Sequence, residues 1–146
     1  MGRRDPRPLK RLRLTGNHYE SMRAHVDSCL PLEGCGLLAG KGNLVREVIP
    51  VPNQARSAVR FSMDPREQLR AFNWMDDRGL VLVGIFHSHP AGPDRPSPTD
   101  VAEASYRVVQ VIWWRDPRQW KVRGYWIEEG RSLEVELYAA GGNPAC

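Results

Sequence analysis

An unbroken apolar run from Val81 to Phe86 is the feature of this sequence that most constrains its fold. The length of the run and its content of β-branched residues are typical of a strand that is buried on both faces. Such a strand lies inside a sheet that other elements cover on both sides. The run therefore predicts an α/β fold in which helices pack on a mixed sheet.

Two histidines follow this predicted strand directly, in the order His87-Ser88-His89. Residues i and i+2 of a strand project to the same side, so the imidazoles of His87 and His89 can converge while Ser88 points the other way. A proline then ends the strand. Residues 91–96, half of which are Gly or Pro, form a loop that folds the chain back and returns Asp100 toward the histidines.

A helix is predicted to begin just before Asp100. Ser97 is a good N-cap residue, Pro98 suits the first helical position, and an acidic residue in the first turn is stabilised by the helix dipole. Asp100 can have this structural role and still bind a metal. Two imidazoles and one carboxylate at this spacing fit a tetrahedral zinc ion with a fourth position for water. The sequence therefore predicts a zinc hydrolase with His87, His89 and Asp100 as metal ligands.

Hydrolysis of an amide also needs a base, and Glu33 is the candidate. It precedes the small, apolar segment from Gly34 to Gly40, which is a predicted central strand, and no other charge occurs before Lys41. A carboxylate at the mouth of such a strand suits proton transfer at a metal site. The alternative is a solvated glutamate that ends a loop after Pro31. The sequence spacing leaves both interpretations open.

Together these motifs resemble the JAMM (MPN-plus) metalloproteases. The resemblance rests on three segments, in chain order Glu33-x-Cys35-Gly36-Leu37-Leu38-x-Gly40, His87-Ser88-His89-Pro90 and Ser97-x-x-Asp100. It implies a single-domain fold similar to that of the cytidine deaminases, with Zn²⁺ bound by His87, His89 and Asp100. It also implies that Glu33 is the general acid/base and that Ser97 donates a hydrogen bond to the oxyanion.

The same resemblance implies a substrate class. JAMM proteases hydrolyse an amide or isopeptide bond next to the C-terminal Gly-Gly of ubiquitin or a ubiquitin-like protein. This short chain looks like the standalone bacterial members, some of which release an amino acid from a sulfur-carrier protein. We therefore expect a zinc metallopeptidase whose partner is a ubiquitin-like or sulfur-carrier protein.

Two other functions remain open at this point. RadC-like proteins, which are associated with DNA repair, share a similar H-x-H-P with a downstream S-x-x-D. They usually have Asn at the position of Ser88 and an added DNA-binding region, so nucleic acid is the less favoured partner. A non-catalytic, zinc-stabilised binding module is the other alternative, and it would have a closed metal site.

The distribution of charge predicts one domain flanked by two short tails. Residues 1–13 contain six Lys or Arg and one Asp, whereas the whole chain of 146 residues has a net charge of +4. We expect a flexible basic tail over residues 1–13, a catalytic domain over residues 14–138 and a flexible tail over residues 139–146. No apolar stretch approaches the ~20 residues of a membrane span, and the three cysteines lack the spacing of a metal site. A cytoplasmic protein without membrane contact is expected, and its oligomeric state stays open.

Periodic patterns predict the remaining elements. A core-facing helix follows a short strand near Arg11 to Leu14, and a second helix runs from a cap at Asp64 to Gly79 with Leu69 on its buried side. Residues 44–51 pair with the strand after Glu33 as a hairpin. Three strands near the C-terminus form an antiparallel meander in which Leu133 is directed inward.

Overall fold

Seven strands and three helices make up residues 7–139, the part of the chain that this computed structural model describes. In chain order they are β1 (Arg11–Leu14), α1 (Gly16–Cys29), β2 (Cys35–Lys41), β3 (Leu44–Val51), α2 (Pro65–Asp77), β4 (Val81–His89), α3 (Pro98–Glu103), β5 (Val109–Asp116), β6 (Gln119–Glu128) and β7 (Arg131–Ala139). The predicted apolar strand is β4, which also includes both histidines. Within this part of the chain, no helix has the length and apolar character that would let it cross a membrane.

The strands form one mixed sheet in the order β1-β3-β2-β4-β5-β6-β7. β4 and β5 are parallel, as are β1 and β7, whereas strands joined by a hairpin are antiparallel. The pairing of β1 with β7, from Arg11 beside Glu136 to Leu14 beside Ala139, closes the sheet into a barrel. The predicted α/β class with a mixed sheet is confirmed. Its closure is not indicated by any local pattern in the sequence.

The predicted boundary of the N-terminal tail is wrong for its last residues. Residues 11–13, assigned to a tail over residues 1–13, belong to β1, and the side chain of Leu12 is fully buried. Backbone pairing with β7 and the burial of an apolar side chain hold this segment in the sheet. The boundary of the C-terminal tail is wrong by one residue, because Ala139 is the last residue of β7 and pairs with Leu14. Residues 1–6 and 140–146, which belong to the two predicted tails, lie outside the described residues.

Two apolar clusters cover the faces of the sheet. The inner cluster combines side chains from all seven strands with Met22 and Val26 of α1. The outer cluster lies against α2, which contributes Ala71 and Met75. β2 and β4 supply residues to both clusters, so they are buried on both faces, as their apolar sequences predict. The polar residues at the ends of these strands are therefore held in the middle of the fold.

Two leucines that were expected to be buried are exposed. Leu69 is 62% exposed, because it lies roughly 200° around α2 from the buried Ala71. Leu133 is 48% exposed, and it lies in the half of β7 that has β6 beside it but not β1. Periodicity thus identifies both elements correctly, while the position of the neighbouring elements decides which of their side chains pack.

Candidate metal centre

His87 and His89 lie at the end of β4, in the middle of the sheet. β4 has β2 on one side and β5 on the other, with His87 beside Cys35 and Ile112. Both imidazoles are buried, and their Nε2 atoms are 3.1 Å apart. The i, i+2 spacing on a strand therefore brings the two ring nitrogens together.

Asp100 reaches the same point from the first turn of α3. Ser97 is the N-cap of this helix, and its Oγ accepts a hydrogen bond from the Asp100 N–H at 3.0 Å. Asp100 Oδ2 in return accepts from the Ser97 N–H at 2.8 Å. The same Oδ2 atom lies 3.1 Å from His87 Nε2 and 3.0 Å from His89 Nε2. This capping box directs the carboxylate toward the two imidazoles.

The two nitrogens and the carboxylate oxygen form a triangle with sides of 3.0 to 3.1 Å. In a regular tetrahedron with metal–ligand bonds of ~2.0–2.1 Å, ligands lie about 3.3 Å apart, so the triangle needs only a slight expansion to hold zinc. His89 Nδ1 lies 2.8 Å from the Pro93 carbonyl, and donation to that oxygen leaves the Nε2 lone pair for the metal. The donor types and their spacing therefore fit a zinc ion with one position left over.

Glu33 lies beside this triangle and is only 2% exposed. Its backbone N–H donates to the carbonyl of Ser57, and its own carbonyl accepts from the side chain of Asn53. Its Oε1 atom is buried and has no hydrogen-bond partner within residues 7–139. Burial raises the pKa of Glu33 to about 7. Two smaller electrostatic effects oppose each other, since His89 lowers this pKa and Asp100 raises it. The alternative of a solvated, loop-ending Glu33 is therefore wrong.

Two sets of three side chains could hold a metal. Glu33, His87 and His89 present ligand atoms within 4.8 Å of one another, whereas His87, His89 and Asp100 form the tighter triangle. The tighter set matches the distances between ligands around zinc. The wider set places Glu33 at a distance that suits one intervening water.

The protonation states of two members of the triangle, Asp100 and His87, favour a bound cation. Burial raises the pKa of Asp100, but hydrogen bonds from both imidazoles and from Ser97 outweigh it and hold that pKa below its usual range. Burial lowers the pKa of His87 by more than the hydrogen bond with Asp100 raises it. Burial also lowers the pKa of His89, but hydrogen bonds with Asp100 and Pro93 raise it on balance. An ionised Asp100 and a neutral His87 are the forms that bind a metal.

A family model described as prokaryotic homologs of the JAB domain matches the chain over residues 15–124. The match includes Glu33 and all three residues of the triangle. The chain belongs to this family. The JAMM-type family that the motifs predict is therefore confirmed.

Two JAB-type relatives and one solved structure are similar over most of the chain. The probable TtuB-protein conjugate cleaving protease of Thermus thermophilus is 41% identical over 117 residues, which cover 80% of this chain and 76% of that protein. The CysO-cysteine peptidase of Mycobacterium tuberculosis is 37% identical over 121 residues, which cover 78% of this chain and 81% of that protein. A solved structure from Desulfitobacterium hafniense is 38% identical with a TM-score of 0.80, and covers 88% of this chain and 92% of that one.

Two further side chains support the JAB-family site and were not indicated by the sequence. Ser88 is fully buried, and its Oγ accepts from the Gly34 N–H at 2.8 Å, which ties β4 to the residue after Glu33. Phe61 stacks on the His87 ring with 4.4 Å between the ring centroids. Strand periodicity predicts only that Ser88 points away from the metal, and no periodic pattern marks Phe61, because it lies outside the helices and strands.

Proposed function

We propose that this JAB-family protein is a zinc metallopeptidase that hydrolyses the amide or isopeptide bond after the C-terminal Gly-Gly of a ubiquitin-like or sulfur-carrier protein. The observation that carries the proposal is the triangle of His87 Nε2, His89 Nε2 and Asp100 Oδ2 with the buried Glu33 beside it. A structural zinc site would be closed by four protein ligands. Similarity to a conjugate-cleaving protease and to a CysO-cysteine peptidase supports the substrate class.

In this proposal, His87, His89 and Asp100 hold the zinc ion. Bound zinc polarises the scissile carbonyl as a Lewis acid and lowers the pKa of a bound water toward ~7. The hydrogen bond from His89 to the Pro93 carbonyl and the stacking of Phe61 on His87 would fix the orientation of the two rings.

Glu33 would transfer the proton. With a pKa of about 7, its carboxylate form accepts a proton from the attacking water, and its acid form then donates that proton to the leaving amine. Within residues 7–139 no hydrogen bond occupies Oε1, so this atom is available for the transfer. One carboxyl group can serve both steps, because a pKa near neutrality allows it to accept and then to release a proton.

Ser97 would stabilise the charge that develops on the carbonyl oxygen of the substrate. Its Oγ accepts the N-cap hydrogen bond from Asp100, and this leaves the hydroxyl hydrogen free to be donated. One side chain would therefore both orient a metal ligand and donate to the oxyanion. Loss of one such donor typically lowers kcat about 10²–10³-fold.

The experiment is to offer the zinc-loaded protein several ubiquitin-fold carriers that have an amino acid or a lysine side chain attached to their Gly-Gly end. We expect release of the attached group, its loss with a chelator and its return when zinc is added. Mass spectrometry of the carrier identifies the bond that is cut. Cleavage of unrelated peptides without zinc-dependent release from any carrier would contradict the proposed function.

A further inference from the structure

A cavity of about 280 Å³ lies beside the proposed metal centre. Asp100 belongs to its wall, so a molecule in the cavity would lie next to the triangle of ligand atoms. Its lining includes residues 60–63, which follow β3, and residues 103–106 at the end of α3 and beyond it. Gln110 of β5 also lines the cavity. No step of the proposed hydrolysis uses this space.

Gln110 is an unusual residue for its position. It is only 6% exposed, and its side-chain amide has no hydrogen-bond partner among the described residues, but the amide is not one of the fully buried polar atoms that lack a partner. It lies beside Ile85 of β4, two residues before His87, and neighbours on one face of a sheet follow this spacing. The small exposed part of the residue faces the cavity that it lines, where water or a ligand can meet the amide. The side chain is therefore available to a molecule in the cavity.

The walls of the cavity also carry unpaired charges. Arg60 lines one wall, and its exposed guanidinium makes neither an ion pair nor a hydrogen bond within residues 7–139. Glu103 also lines the cavity and likewise has no ion pair in that part of the chain. The lining therefore includes a cation and a neutral amide that can both donate hydrogen bonds, together with one anion.

These features fit a small molecule with one carboxylate. The cavity of about 280 Å³ has room for one amino acid but not for a folded partner. A guanidinium matches the two oxygens of a carboxylate through parallel N–H bonds, and the Gln110 amide can donate a further one. When an α-amine is acylated, its carboxylate carbon lies only two bonds from the scissile nitrogen. An isopeptide-linked lysine side chain has no anionic group at this distance.

Building on the proposed function, we infer that this cavity binds the leaving group as a free α-amino acid, with its carboxylate on Arg60 and Gln110. Hydrolysis breaks the bond between the Gly-Gly carbonyl carbon and the nitrogen of the amino acid. The water oxygen goes to the carrier carboxylate, and a proton goes to the nitrogen. The two residues thus determine specificity and take no part in the proton transfer.

The experiment compares three conjugates of one carrier: an amino acid with a free carboxylate, the same amino acid as its carboxamide, and a blocked lysine attached through its side chain. We expect the free carboxylate to be preferred over the carboxamide about tenfold to a hundredfold in kcat/KM, as for a lost hydrogen bond to a charged group. Arg60→Gln should remove this preference by slowing cleavage of the acid while the rate with the carboxamide stays within about twofold. Arg46→Gln is the matched control. Arg46 is also exposed, and it lies on β3 near the β2–β3 turn. Val51, which pairs with Cys35, lies at the opposite end of that strand.

Gln110→Met separates recognition from folding. Met has a similar length but no polar atoms, so KM for the acid should rise while the melting temperature stays the same or increases, since no internal hydrogen bond is lost. A lower melting temperature with unchanged KM would instead give Gln110 a structural role.

Equal cleavage of acid and carboxamide by the unmodified chain would overturn the cavity inference and leave the proposed function intact. Cleavage of none of the three conjugates would reject the proposed function, and the cavity inference with it.

Discussion

Glu33 differs from an ordinary surface carboxylate because its backbone is fixed while its side chain is left without a partner. Ser57 and Asn53 bind its N–H and carbonyl, and the side chain enters the space beside His89. Fixing the backbone allows the carboxyl group to stay buried without an ion pair. This burial is the main cause of its raised pKa, and the raised pKa is the property that a general acid/base needs.

The variant Glu33→Gln tests this role at the scale of one residue. The amide keeps the size of the side chain but cannot accept the proton, so kcat should fall about 10²–10⁴-fold while bound zinc is unchanged. His87→Ala and Asp100→Ala should instead lose both metal and activity. Metal analysis beside kinetics distinguishes these outcomes, with the exposed Glu47→Gln as a matched control. Full activity in Glu33→Gln would remove Glu33 from the mechanism.

The residues of the site differ in how well the sequence predicts them. His87, His89 and Asp100 can be predicted, because a strand and a helix start place them through spacings of a few residues. Ser88 and Gln110 cannot, because their importance depends on partners or spaces supplied by distant parts of the chain. The Ser88 hydrogen bond, for example, joins it to Gly34, which lies 54 residues earlier, just before β2.

At the scale of an element, the segment between β3 and α2 is organised by one side chain. The amide of Asn53 donates to the carbonyls of Glu33, Ser57 and Arg60, and its oxygen accepts from the N–H groups of Ala55 and Ser62. An irregular segment has no repeating backbone pattern, so a side chain must satisfy its polar groups. Asn53 therefore connects the general-base candidate to the residues that line the cavity.

Replacement of Asn53 should loosen this segment without unfolding the sheet. In Asn53→Ala, loss of several hydrogen bonds should lower the local unfolding free energy by about 2 kcal/mol and speed hydrogen exchange at Ala55 and Ser62. In Asn53→Asp the oxygen acceptor remains, so these two amides should stay protected while kcat falls. Hydrogen exchange and kinetics are measured together, with the exposed Asn73→Ala as the control. Unchanged exchange in Asn53→Ala would show that other contacts hold the segment.

Helix α1 gives the fold a pH-dependent contribution through His25. Its Nε2 lies 3.1 Å from the Cys35 carbonyl, and burial lowers its pKa below 6.5 although backbone carbonyls of Cys35 and Val51 raise it. The folded state therefore binds fewer protons than the unfolded chain at acid pH. The stability that comes from a neutral His25 is present above the unfolded pKa and is lost as the pH falls toward the folded pKa.

The variant His25→Gln should reduce this loss. Gln keeps an N–H donor for the Cys35 carbonyl but does not titrate. Between about pH 7.5 and about pH 5, the free energy of unfolding should decrease less for the variant than for the unmodified chain. Denaturant unfolding at several pH values measures the difference. The contributions of the other titrating groups to this pH dependence cancel, because both proteins contain those groups. Parallel pH profiles would mean that His25 makes no such contribution.

For the whole molecule, the sequence predicts the parts better than their arrangement. The apolar runs and turn residues give most strands, and the caps at Ser97 and Asp64 mark where two helices begin. Barrel closure depends on β1 meeting β7, and no spacing within either strand indicates that partner. The short strand near residues 11–14 is predicted, but the tail boundary placed inside it and the inward direction predicted for Leu133 are wrong for the same reason.

Closure of the barrel predicts that substitution of a residue near the N-terminus strongly lowers the free energy of unfolding. Leu12→Ala removes a fully buried side chain of the inner cluster and should cost about 2–5 kcal/mol of unfolding free energy. Leu69→Ala makes the same chemical change at an exposed position of α2 and should stay within about 0.5 kcal/mol. Urea unfolding of both variants provides the comparison. Equal effects would contradict the assignment of β1 to the barrel.

The junction of β1 with β7 also affects when the protein can fold during its synthesis. β1 leaves the ribosome before the other described strands, but its partner along most of its length is the last of them. A nascent chain that is arrested before β7 emerges has Leu12 and Leu14 without that partner, so it should be digested by a protease that spares the released chain. The barrel would then close only after β7 has left the ribosome, and until that moment the unfinished barrel would be a natural client for a chaperone.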